Sequence, residues 1–294
     1  DSILKAEKLK NLNDLITSQK EELELKNKKI EDQKYRLAYI NEELNTQKDK
    51  LAKTSHKLTS SISYAERIQD ALMGDDFYIK SIVKDSFVLF KPRDIVSGDF
   101  FWFYQAPPKP IFEERYIEKD RTIKSILTGF TSEKVFIVAA DCTGHGVPGA
   151  LMSVVGMNQL ENLIRYQGIS RPDEVLKHMH INIKNTLRQS SGEVNDGMDV
   201  AVTVLNPEEK TLEYAGAMNP LYIVDDGELV EIKATKLPVG GRERSLERSY
   251  QYNCLDIKEG QCFYIFSDGY KDQFGGERNR KFMTKNFNMF NFGA

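Results

Sequence analysis

Four short segments set aspartate beside glycine at the edge of an apolar run: Gly98-Asp99, Asp141 ahead of Gly144-His145-Gly146, Asp196-Gly197-Met198-Asp199, and Ser267-Asp268-Gly269. Aspartate is disfavoured in strands, and a neighbouring glycine permits a tight turn with close backbone approach. A lone Asp-Gly is by default only a turn. Three of these segments lie at the ends of apolar stretches, which a turn alone does not explain. Carboxylates that converge without Lys or Arg repel one another, and hard divalent cations relieve that repulsion. An all-oxygen donor set points to Mg or Mn rather than Zn.

Other chemistries fit less well. Gly144-His145-Gly146-Val147-Pro148-Gly149 matches the dinucleotide-binding GxGxxG spacing. That site also needs a second parallel strand with an acidic end about 20 residues on. Asp173 and Glu174 instead follow Pro172 into a second helix. Ala150-Leu151 stands where a nucleoside-triphosphate loop carries Lys-Ser/Thr. Six positions after Cys142, Cys254 and Cys262 come Pro148, Gly260 and Asp268, never the arginine of thiol-based phosphatases. His178 and His180 are two apart on a predicted helix and share no face, so they read as surface or half-buried residues. His56 falls in a charged helical stretch and needs no separate account.

The scaffold for such residues comes from a 294-residue chain that is 40% hydrophobic and 29% charged. Its formal net charge is -3, from 41 basic and 44 acidic side chains, and no basic stripe with interleaved aromatics suggests nucleic acid. No run approaches the roughly 18 to 20 apolar residues of a spanning helix. Asp1-Ser2-Ile3-Leu4 is not a signal peptide. Three cysteines form neither a paired framework nor a CxxC motif, which suits a reducing compartment. The expected location is the cytoplasm, as a free protein or the cytoplasmic part of a larger sensor protein. Without an initiating Met, and ending at Asn291-Phe292-Gly293-Ala294, the chain reads as a piece of something longer.

Residues 1–60 hold 13 Lys/Arg and 11 Asp/Glu, and the first glycine is Gly74. Leu9, Ile16, Leu23, Ile30, Leu37, Leu44, Leu51 and Leu58 recur every seven residues, the period of a left-handed coiled coil. The companion row is polar: Gln19, Lys26, Gln33, Gln47, Thr54 and Ser61 interrupt Leu12 and Ile40. Such a seam associates weakly, and the expectation is a parallel homodimer over 1–61 rather than a solvated single helix. From Ile62, Ala65, Ile68 and Leu72 a different helical face emerges, ending at Met73-Gly74. This 62–76 stretch is expected to dock on the globular domain and to transmit the geometry of the coiled coil.

In the globular part, 77–294, strands are expected at 87–90, 100–104 and 135–140. Helices follow at 148–167 and 172–190, then strands at 199–205, 211–216, 220–224, 228–233, 250–257 and 261–267. Gln105 to Lys134, with Pro107, Pro108 and Pro110, is expected to be an inserted surface loop rather than a lid. Strands, a helix pair, then more strands is an α+β order.

Taken in order, V-S-G-D-F-F (96–101), A-D-C-T-G-H-G-V-P-G-A-L-M-S (140–153), D-G-M-D (196–199), A-G-A-M-N-P-L-Y (215–222), L-P-V-G (237–240) and F-S-D-G (266–269) resemble the metal-dependent protein phosphatases (PPM, type 2C). Within that family the chain looks like the bacterial SpoIIE-like serine phosphatases found behind sensor modules. The resemblance runs from about residue 62 to about 280, and the ordered set is specific although each motif alone is weak.

The resemblance implies an α/β/β/α sandwich, two antiparallel sheets flanked by helices, with a pair of Mn or Mg ions at one edge. Asp99 and Asp141 would bridge or flank the metals, the carbonyl of Cys142 would add a ligand, and Asp268 would hold one ion. Asp196 or Asp199 lies where relatives place a third-metal ligand. His145 is either the acid for the leaving oxygen or a structural residue at the helix entrance. Lys91 and Arg93 are either phosphate contacts or solvated loop cations. The reaction implied is attack of metal-activated water on phosphoserine or phosphothreonine of a regulatory protein, under an upstream sensor. The alternative is a metal-degenerate regulatory or scaffold module. The family carries an aspartate where this chain has Trp102, and a last metal-binding aspartate well after Ser-Asp-Gly. Only Asp272 follows Asp268, so the expectation is a fragment lacking one ligand and a terminal strand.

Overall fold

The computed structural model describes residues 2–74, 76–117, 122–189, 195–241, 246–269, 272–275 and 280–281. Two compact units divide the chain, Asp1–Ser61 and Ile62–Ala294. The described residues of the first are helical throughout, as part of α1 (Ser2–Met73). Good helix formers without an internal glycine or proline account for that. Every described side chain before Ile62 is exposed, the heptad row included.

In the second unit, the last turns of α1 bury Gln69 and Met73. Ile68 and Leu72, expected on the docking face, are 45% and 43% exposed. The buried stripe is the adjacent one, and it holds an amide that an apolar periodicity does not register. Gly74 ends the helix with φ +90, a left-handed conformation that glycine adopts without strain.

A short helix, α2 (Asp76–Ile82), precedes β1 (Phe100–Ala106). Phe87 to Phe90 form no strand; Phe90 instead packs edge-on against Phe101 with ring centroids 5.7 Å apart. The 105–134 segment is no loop: β2 (Pro110–Ile117) and β3 (Thr122–Phe130) make an antiparallel ribbon with a register shift between Ile111 and Phe112. Its prolines sit before the ribbon or at its first position, where a missing N–H costs no ladder bond. Then come β4 (Lys134–Cys142), α3 (Gly146–Leu160, continuing as a π-helical segment Glu161–Tyr166) and α4 (Pro172–Thr186). The remaining strands are β5 (Gly197–Asn206), β6 (Thr211–Ala217), β7 (Leu221–Asp225), β8 (Glu228–Ile232), β9 (Val239–Gly240), β10 (Asn253–Asp256), β11 (Cys262–Tyr264), β12 (Phe274–Gly275) and β13 (Arg280–Lys281).

A six-stranded sheet runs β1-β4-β5-β6-β10 with β9 on β5, and a three-stranded sheet runs β11-β7-β8. Alternation along the strands builds two cores. Phe136, Val138, Ala140 and Cys142 of β4, with Val200, Val202 and Val204 of β5, join Leu160, Leu176, Met179 and Ile183 from the helix side. Ala201, Leu212 and Tyr214 face the other way, onto Leu221 and Ile223 of the smaller sheet. Among the described residues the order is therefore helix, sheet, sheet, the first three layers of the expected α/β/β/α sandwich of antiparallel sheets. Val200, Val202 and Val204 are all 0% exposed, and each contributes about 1.5–3 kcal/mol by leaving water.

Candidate active site

Strand register assembles the acids. Phe100 pairs with Ala140, which puts Asp99 at the entrance of β1 on the level of Asp141. Asp141 in turn pairs with Asp199 of β5. Cys142 and Met198 point into the helix-side core. Side chains alternate along a strand, so Asp141 and Asp199 project from the opposite face, toward the smaller sheet. Asp268 arrives from that sheet, four residues beyond the end of β11, in a turn where the Asp272 N–H donates to the Asp268 carbonyl at 2.9 Å.

Asp141 has its carboxyl pushed up to about 8 from an ordinary 3.8, by burial first, then by the charges of Asp99 and Asp268, which also lie within hydrogen-bonding reach. The Cys142 thiol is pushed up as well, by burial and then by Asp141, Asp99, Asp196 and Asp199. Its side chain packs in the helix-side core, so its carbonyl rather than its sulfur is the candidate donor. Ser267 Oγ donates to Asp99 Oδ2 at 2.7 Å, and the Asp99 N–H donates to Ser97 Oγ at 3.0 Å.

Close main-chain contact explains the glycines. A Cβ on Gly98 would stand 2.9 Å from the Gly144 carbonyl oxygen, and one on Gly149 only 2.6 Å from it. Gly144 itself takes φ +91. The GxGxxG spacing thus closes an acidic loop, and the antiparallel pairing of β4 with β5 removes the parallel arrangement that a dinucleotide site requires.

Asp196 is held from two sides. Thr143 Oγ1 lies 3.2 Å from Asp196 Oδ1 and accepts the Gly197 N–H at 2.9 Å. Behind it, Gln189 Nε2 donates to the Asp196 carbonyl at 2.5 Å and Gln189 Oε1 accepts the Gly241 N–H at 3.1 Å. His180 is fully buried, contrary to its sequence reading, and its Nδ1 accepts the Gly240 N–H at 3.0 Å. Its role is to seat β9 against Gly197.

The basic candidates are exposed. His145 occupies the N-cap of α3 without capping it. Its side chain is 75% exposed, with Nδ1 at 3.7 Å from Asp94 Oδ2. Lys91 and Arg93 are exposed; Arg93 lines an open cavity of about 670 Å³ with Ile62, Ile95, Val96 and Val147. Ser97, Thr143 and Ser267 were not singled out by sequence reasoning, although each adjoins an acidic motif as a hydroxyl next to a turn.

Among the described residues, no group of three or more His, Cys, Asp or Glu side chains stands in metal-ligand geometry. The chemistry of the donors nevertheless fits a hard divalent cation. Among the described residues, the charged groups that act most strongly on the Asp141 carboxyl are the carboxyls of Asp99 and Asp268. Residues 282–294, on which the expected lack of a terminal strand and one ligand turns, lie outside the described residues.

Comparison with known proteins accords with this architecture. No curated protein matches the chain. Among solved structures it is similar to the SiaA-PP2C domain of Pseudomonas aeruginosa, with 26% identity over 80% of this chain and 81% of that one and a TM-score of 0.62. Lower similarity is found to the PP2C phosphatase domain with a fragment of the regulatory domain of SpoIIE from Bacillus subtilis, at 16% identity, 60% and 43% coverage and a TM-score of 0.41. The family model of stage II sporulation protein E (SpoIIE) matches residues 131–290, more than half of the chain. By the span that this model matches and the antiparallel α+β fold shared with the SiaA domain, this chain belongs to the SpoIIE family of PPM-type protein serine/threonine phosphatases.

Proposed function

We propose that the chain hydrolyses phosphoserine or phosphothreonine esters on a regulatory protein. Asp99, Asp141, the Cys142 carbonyl and Asp268 would hold two Mn or Mg ions, with Asp196 or Asp199 at a third position. The observation that carries this reading is the half-buried Asp141 carboxyl wedged between Asp99 and Asp268, a set of acids that a divalent cation would relieve. When bound, such ions activate water for attack on phosphorus and neutralise the phosphate oxygens.

The chain's own residues supply positioning. Ser267 turns Asp99, Thr143 and Gln189 fix Asp196, and the glycine contacts hold Gly98 against the loop from Asp141 to Gly149. His145, 3.7 Å from Asp94 Oδ2 at the exposed entrance of α3, would be the acid for the leaving oxygen. Lys91 and Arg93 are the candidate contacts for phosphate on a docked protein. The exposed heptad row of α1 supports a homodimeric coiled coil over 1–61, with 62–76 carrying an upstream sensor's state to a phosphatase domain at 77–294. That input acts only through contacts differing between an active and an inactive arrangement.

The test is hydrolysis of p-nitrophenyl phosphate and a phosphoserine peptide with Mn, with Mg and with chelator. Metal-dependent turnover that falls at least about 100-fold in Asp99→Asn is the expected result. Turnover surviving in chelator, or its absence with both metals, overturns the enzymatic reading in favour of a regulatory module.

A further inference from the structure

We infer that Gln69 is a positioning residue for Asp99: its side-chain amide docks on the Ser97 peptide groups and sets the main chain that presents the carboxylate. This rests on the proposed metal centre.

Gln69 is 2% exposed and, with Met73, is one of the two buried residues of α1. Its Oε1 accepts the Ser97 N–H at 3.0 Å while its Nε2 donates to the Ser97 carbonyl at 2.6 Å. The second Nε2 hydrogen goes to Ser153 Oγ at 2.6 Å. The amide orientation follows from this set, because a flipped group would face an N–H with an NH₂ and two oxygens with an oxygen.

Burying an amide is unfavourable unless it is hydrogen-bonded, and a leucine or methionine would pack this helix stripe without that cost. What the amide adds is a two-point grip on one residue of a turn, as a neighbouring strand would provide. From Ser97 the grip reaches the site in two ways. Ser97 Oγ accepts the Asp99 N–H at 3.0 Å, and the Gly98 carbonyl accepts the Cys142 N–H at 3.4 Å. Through Ser153, whose Oγ donates to the Ala150 carbonyl at 2.8 Å, the amide is also fastened to α3, whose Gly149 abuts Gly98. The end of α1, the entrance to β1 and the middle of α3 thus meet on one side chain.

The test uses the full chain with Gln69→Met, which keeps the volume and removes the amide. Mn affinity is read from the free-ion EPR signal, amide exchange of 96–99 is measured in EDTA, and thermal melting confirms folding. The expected result is Mn binding weakened about tenfold, faster exchange at Ser97, and a lower kcat for p-nitrophenyl phosphate at unchanged KM. Gln69→Glu, which keeps the acceptor but sets a carboxylate against the Ser97 carbonyl, carries the same comparison if Gln69→Met does not fold. A folded variant with the affinity and Ser97 exchange of the unsubstituted chain overturns the inference while the metal centre stands. An unsubstituted chain that binds no Mn overturns the metal centre itself, and this role with it.

Discussion

A carboxyl at about 8 is in the wrong protonation state for an ordinary aspartate at neutral pH, and Asp141 is there because of burial and of Asp99 and Asp268. The consequence for stability has a definite sign. Between 3.8 and about 8 the folded, metal-free chain holds a proton that the unfolded chain has lost. This group's contribution is therefore full below the lower value and is lost as pH rises through the upper one. In EDTA, the urea midpoint should fall between about pH 5 and about pH 8, and Asp141→Asn should flatten that slope. Equal slopes in the two proteins would show that Asp141 does not carry the proton. Added Mn should restore the midpoint at the higher pH, because a cation replaces the proton between the acids.

Among elements, the turn between β4 and α3 is the tightest part of the site. Gly149→Ala would place a Cβ 2.6 Å from the Gly144 carbonyl oxygen and 3.1 Å from the Gly98 Cα, contacts that only backbone movement relieves. The expected loss is about 1–3 kcal/mol by urea denaturation, with a matching loss of metal-dependent turnover. Gly129→Ala in β3, where nothing lies within 4 Å, is the control and should change stability by no more than about 0.5 kcal/mol. Equal effects of the two substitutions would refute the steric account. The β2–β3 ribbon also shows where turn chemistry misleads. Pro107, Pro108 and Pro110 announce a loop, yet the pairing from Phe112 with Leu127 to Ile117 with Thr122 is strand register. Cross-strand contact between residues far apart in the chain does not register in local composition.

At the scale of the molecule, the heptad residues run from 49% exposed at Ile30 to 72% at Leu51 in the single chain. In the proposed coiled coil this row would pack against a partner helix, and Gln19, Lys26, Gln33 and Gln47 beside it would weaken the association. In sedimentation the 33.7 kDa chain should pass from monomer to dimer as concentration rises, and Leu37→Glu with Leu44→Glu should hold it monomeric. Monomers at high concentration for the unsubstituted chain would exclude the coiled coil. Among the described residues no helix is long and apolar enough to cross a membrane.

The long helix, the α+β order and the acids at strand ends were legible in residues alone, because heptad spacing, alternating burial and Asp-Gly turns are local patterns with direct physical causes. The acids of β4 and β5 also reach one face by a local rule, since alternation decides it once the strands are known. Their convergence was not local. It required the register of Phe100 with Ala140 and Asp141 with Asp199, and a second sheet that returns Asp268 to meet them. Likewise Gln69 looked like one more polar residue between apolar helix positions. Only packing against Ser97 and Ser153 gave its amide partners, because a buried polar group is recognised by what it touches and not by the residues beside it in the chain.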